Sequence, residues 1–156
     1  MSCTTLVQTQ PTSISIWSSN TVGVSFTSGT ARTVPITGFT QSVNPNSDFT
    51  FNASTGQVTY TGSSTRYFQV SLLFSYQPLG VASTFTSFIS KNNSTSVSGM
   101  RTVITFLLLG ATNYFTSNLF DTLQLATNDT IILGGLLSGT STTINYQAVT
   151  YVINAL

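Results

Sequence analysis

"SSTRYFQVSLLFSYQPLG", residues 63–80, contains an alternating run that decides the fold class. Phe68, Val70, Leu72, Phe74 and Tyr76 fall on one side. Tyr67, Gln69, Ser71, Leu73 and Ser75 fall on the other, which is the period of two of a β-strand. The first set is expected to fill the interior of a sheet sandwich. The second forms a neutral face suited to a subunit neighbour or to water.

Working outward, the same texture repeats along the chain. Before this run come "SISIW" (13–17), "VGVSF" (22–26), "TVPIT" (33–37), "DFTF" (48–51) and "QVTYTG" (57–62). After it come "STFTSFISK" (83–91), "SGMRTVITFLLLG" (98–110), "LFDTLQLA" (119–126), "TIILGGLL" (130–137) and "TINYQAVTYVINA" (143–155). Turn-forming clusters separate them: "NPNSD" (44–48), "NASTGQ" (52–57), "KNNSTS" (91–96), "ATND" (126–129) and "SGTST" (138–142). "FNASTGQVTY" reads as a hairpin. No stretch carries a helical period. About ten short strands at this spacing predict an all-β sandwich or barrel. Residues 1–12 read as a flexible arm and 13–156 as one domain.

Charge is the compositional outlier. Four basic and three acidic residues make 4% of the chain, with no His and no Glu, against roughly a quarter in ordinary proteins. The 29 threonines and 23 serines, one third of the sequence, take over the solvent-facing positions. Without basic clusters there is no source of counterion-release binding, so a nucleic-acid partner is not expected. A surface of hydroxyls and amides also lacks the repulsion that keeps proteins apart, which suits a protein that works inside an assembly. Cys3 is the only cysteine and cannot form an intrachain disulfide. The N-terminus shows no secretory signal, so synthesis in the cytoplasm is expected. "VITFLLLGA" (103–111) is about half the length of a membrane-spanning helix and reads as a buried strand, with no membrane insertion.

Catalytic chemistry has no candidates. General acid–base work needs a group that titrates near neutrality, and a triad needs its base. The three aspartates stand apart at 48, 121 and 129, and no His or Cys cluster exists for a metal. Asp129 reads as a turn cap and Asp121 as a strand-edge residue. "GGLLSG" (134–139) has neither the Lys nor the following helix of a phosphate loop. The sequons at Asn52, Asn92, Asn93 and Asn128 read as chance in so Ser/Thr/Asn-rich a chain. No enzyme, cofactor or metal is expected.

Three stretches in order resemble the C1q/TNF-like domains. "FTFNASTGQVTYTGSSTRYFQVSLLF" is similar to the segment leading into that family's Gly-x-Tyr-x-Phe-x-Val strand. "TSFISKNN" and "LQLATNDTIILGG" are similar to its Lys-Asn-Gly turn and its Leu-x-Leu-x-x-Gly-Asp-x-Val strand entry. "QAVTYVINAL" looks like its closing strand. The likeness covers about residues 48–156. Gly62 is displaced from Tyr67, Asn128 stands for the Gly of Gly-Asp, and no acidic cluster matches the C1q calcium site. The resemblance implies a ten-stranded antiparallel jelly roll assembled as a homotrimer.

In the last strand Val149, Tyr151 and Ile153 read as one apolar side. Tyr146, Ala148, Val152 and Leu156 read as the other, and are the candidates for a subunit interface. The functional expectation is a structural virion protein in a capsid, penton or spike, with coat proteins as partners. Two alternatives stay open: a fibre head binding a host receptor or glycan through Trp17, Tyr114 and Phe115, or a spore-surface coat protein.

Overall fold

The computed structural model describes residues 12–43, 48–95, 100–109 and 113–156. Among them run twelve strands: β1 (Ser13–Ser18), β2 (Val22–Phe26), β3 (Ala31–Thr33), β4 (Thr40–Val43), β5 (Phe49–Phe51), β6 (Val58–Tyr60), β7 (Arg66–Pro78), β8 (Val81–Lys91), β9 (Met100–Leu109), β10 (Phe115–Leu125), β11 (Thr130–Ser138) and β12 (Thr142–Ala155). They form two six-stranded sheets. The first has the order β10-β7-β12-β1-β4, with β2 pairing β12 as well. The second has the order β5-β6-β11-β8-β9, with β3 pairing β11. Every pairing is antiparallel. The chain crosses repeatedly from one sheet to the other, which makes the sandwich a jelly roll.

The alternation of β7 is realised as read. Phe68, Val70, Leu72 and Phe74 are fully buried between the sheets, and Tyr76 nearly so. Aromatic rings fill the gap edge to face. Phe49, Tyr60 and Phe68 form a mutual triangle with centroids 4.9–5.3 Å apart, and Phe26 meets Phe85 at 4.9 Å. One hydrogen bond joins the sheets through the core: the Leu133 N–H on β11 donates to the Tyr151 hydroxyl on β12 at 3.0 Å. Burial pushes the Tyr151 phenol up, although this same bond acts against it.

The predicted hairpin forms. Phe51 faces Val58, the Gly56 N–H donates to the Asn52 carbonyl at 2.8 Å, and Gly56 has φ 71°. Asp129 caps its turn, accepting the Ala126 N–H at 2.8 Å while pairing with Lys91 at 2.7 Å. The glycines of "GGLLSG" serve packing. A Cβ on Gly134 would collide with the Phe88 ring, and one on Gly135 with the rings of Phe85 and Phe26.

Two expectations are corrected, and one strand was not expected. "TVPIT" is a strand only to Thr33: Val34 still gives its N–H to the Leu133 carbonyl at 2.7 Å, Pro35 has no N–H with which to continue, and Val34 and Ile36 are fully buried. β4, "TQSV", lacks the apolar alternation that would have marked it. Tyr146 is interior, not at an interface. Between Gln147 and Thr150 the β7–β12 register slips, with three steps on β12 spanning two on β7. Ala148 sits at this bulge with φ 52°. The extra residue reverses the alternation, so Ile144 and Tyr146 join Val149, Tyr151 and Ile153 in the core. Of the expected arm, only Thr12 is described; its carbonyl accepts the Ala155 N–H at 2.8 Å. Residues 44–47, 96–99 and 110, which belong to expected turns and strand ends, lie outside the described residues.

Candidate assembly face

The outer face of the first sheet is built from the second side of β7 and its neighbours. The registers lay out transverse rows. One runs Asn118, Leu73, Thr150, Trp17, Thr40 from β10 to β4. The next runs Phe120, Ser71, Val152, Ser15, and the next Thr122, Gln69, Asn154, Ser13. Beyond these Tyr67 faces Gln124, and its carbonyl accepts the Leu156 N–H at 3.1 Å. No residue in these rows is charged. Arg66 and Asp121 belong to the inward-facing phases of β7 and β10, while Lys91 and Asp129 hold the turn described above.

Large apolar side chains are exposed across these rows: Trp17 at 43%, Leu73 at 43%, Phe120 at 50% and Tyr67 at 55%, with Leu156 at 68% beside them. Val152 is half-buried among them. Five of the eight exposed large hydrophobic residues of the described chain therefore lie on or next to one neutral face. Such clustering differs from the singly scattered exposed leucines of an ordinary surface. The face brings together Trp17, Val152 and Leu156 of the sequence-predicted residues. It excludes Tyr146 and leaves the exposed Ala148 on its boundary, at the bulge. Phe120 was not singled out from the sequence, although it is the only aromatic residue in the outward phase of β10.

Past the bulge the same face changes character. Thr116, Ser75 and Gln147 form one row, and Gln77, Asn145 and Gly23 the next. Phe115, opposite Tyr76 in the inward phase of β10, packs on that ring with centroids 5.6 Å apart and does not belong to this face, and Tyr114 precedes the strand. Both are exposed.

Chemistry elsewhere is sparse. No pocket opens among the described residues, and none of their His, Cys, Asp and Glu side chains gather in groups of three or more. Partial burial pushes the Asp129 carboxyl up, but hydrogen bonds from Lys91, Asn92 and the Ala126 N–H, with the Lys91 charge, outweigh it and hold the group below its ordinary value. Burial pushes the Tyr146 phenol well above its ordinary range. Among the described residues, no helix is long and apolar enough to cross a membrane.

No protein-family model matches the chain, and no curated protein matches it. Solved structures do. The Eiger TNF of S. frugiperda superposes with a TM-score of 0.62 at 13% identity, over 94% of this chain and 92% of that one. Murine APRIL at pH 5.0 gives 0.56 at 9% identity, over 92% and 98%. The globular domain of zebrafish complement 1qA gives 0.53 at 12% identity, over 92% and 95%. At these identities the likeness establishes the fold, and the fold is a TNF/C1q-like jelly roll.

Proposed function

We propose that this chain is a non-enzymatic structural subunit that assembles with two further copies of itself, as a building block of a virus capsid, penton or spike. The observation that carries the assembly is the neutral apolar half of the outer face, where Trp17, Leu73, Phe120 and Tyr67 are exposed together. Leaving these side chains in water forfeits the hydrophobic gain of covering them, about 25 cal/mol per Å² of apolar surface. The homotrimer is what the C1q/TNF resemblance implies. The viral setting rests on composition: a small β domain with hydroxyls in place of charges keeps its surface properties across pH and salt, as a particle shell requires. In this reading the protein resides in the virion, against other coat proteins.

Light scattering of the purified protein at micromolar concentration tests the assembly. A trimer that persists in molar salt is expected, because no ion pair contributes to the face. Leu73→Lys with Phe120→Lys would yield a folded monomer. A monomeric wild-type protein would overturn the proposal.

A further inference from the structure

We propose that Asp121 and Lys91 close the outer edge of β10 against strand addition by a second copy of this chain. β10 ends the first sheet, and among the described strands it pairs with β7 alone, along all 11 of its residues. A strand in an antiparallel ladder turns the backbone groups of alternate residues away from its one neighbour. On β10 that outward set includes Thr122 and Gln124, two residues apart, and side chains occupy both. The Thr122 N–H donates to Asp121 Oδ1 at 2.8 Å. The Gln124 carbonyl accepts Lys91 Nζ at 2.7 Å, a cation reaching across from the end of β8 in the other sheet. Tyr67, opposite Gln124, turns its carbonyl away from β10 to accept the Leu156 N–H, which is the same phase.

This edge needs closing. From Thr116 to Leu125 the strand holds no proline and no charge other than Asp121. With the half-exposed Phe120 beside Asp121, that is the composition of a segment that pairs with copies of itself. A surface so poor in charge adds little repulsion to keep copies apart. Three of the seven charged residues of the chain nevertheless gather here: Asp121, Lys91 and Asp129. Asp129 holds the Lys91 ammonium at 2.7 Å, and Asn92 Nδ2 donates to the other Asp129 oxygen at 2.7 Å, so the cation is fixed from behind. Elsewhere this chain replaces charge by hydroxyls; here it sets two charged groups directly on outward backbone groups. A neighbouring copy can then meet the outer face by side chains but cannot extend the sheet. The inference does not rest on the trimer, since an open edge is a hazard to a single copy as well.

Thioflavin fluorescence and light scattering of the intact chain at micromolar concentration test it. Asp121→Ala, with an otherwise native amide spectrum, should form β-rich assemblies at least about tenfold faster than the wild type. Asp121→Asn loses the charge but keeps an Oδ1 to accept the Thr122 N–H, and should stay close to the wild type. Lys91→Met, which uncovers the Gln124 carbonyl, should shift association in the same direction as Asp121→Ala. Hydrogen exchange reads the cap without any substitution. In the wild type the Thr122 amide should exchange about tenfold more slowly than that of Asn118, which lies in the same outward phase. The proposal is overturned by any of three outcomes: Asp121→Ala associating no faster than the wild type, Asp121→Asn associating as fast as Asp121→Ala, or Thr122 exchanging as fast as Asn118.

Discussion

Leu72 and Leu73 are the same side chain on consecutive residues of one strand, and the sandwich treats them oppositely. Leu72 is fully buried between the sheets, while Leu73 is 43% exposed on the outer face. The inner side of β7 is a packed core where shape is fixed by rings from both sheets. The outer side is apolar without being covered within the chain. Burial on one side supports the fold, and exposure on the other leaves surface for a neighbour. The boundary between the two roles is one residue wide, and on β12 it is moved by a single inserted residue.

Deleting Ala148 should therefore produce the largest effect. Without the bulge, pairing of residues 149–154 with β1 would force Ile144 and Tyr146 onto the outer face. Loss of a cooperative thermal transition is expected; a native-like melt would mean that the bulge does not set the faces.

Next comes the leucine pair itself. Leu72→Ala should cost about 2–5 kcal/mol in urea unfolding, as core truncations do. Leu73→Ala should stay within about 0.5 kcal/mol for the isolated chain. Equal costs would erase the distinction between the faces.

The polar link across the core from Leu133 to Tyr151 ranks below these. Tyr151→Phe removes the acceptor of the Leu133 N–H and leaves a buried donor unpaired, for an expected loss of about 1–3 kcal/mol.

Acid gives the smallest effect, and it belongs to the turn that Asp129 caps. The Asp129 carboxyl is held below its ordinary value in the folded state. Its contribution is thus complete above the unfolded value of about 3.9 and is lost as pH falls through the folded value. With no His or Glu in the chain, the urea midpoint should be flat between about pH 5 and 8 and decline only below about pH 4. In Asp129→Asn the decline should be shallower.

Much of this was legible in the sequence, for reasons that can be named. The core side of β7 follows from strict alternation, the 52–57 hairpin from Asn and Gly at its tip, and the Asp129 cap from its place in "ATND". β4 was illegible because Thr40, Gln41 and Ser42 leave Val43 as its one apolar residue, too few for an alternation to show. The β12 bulge was misread because Ala148 is not the glycine that a left-handed position favours. The signal was nevertheless there: apolar residues switch phase between Tyr146 and Val149, which a straight strand cannot accommodate. The outward phase of β7 was legible, while the extension of the exposed apolar patch to Phe120 needed the β10–β7 register. The amide rows needed the β7–β12–β2 registers together, since Gln77, Asn145 and Gly23 are far apart in the chain.

The cross-sheet bond also has a meaning in time. Most strand amides can exchange their hydrogen when one neighbour frays away within the plane of a sheet. The Leu133 amide is held by a hydroxyl from the opposite layer, so it meets solvent when the layers themselves separate. Its exchange rate is a clock for opening of the whole sandwich, readable from a single peak.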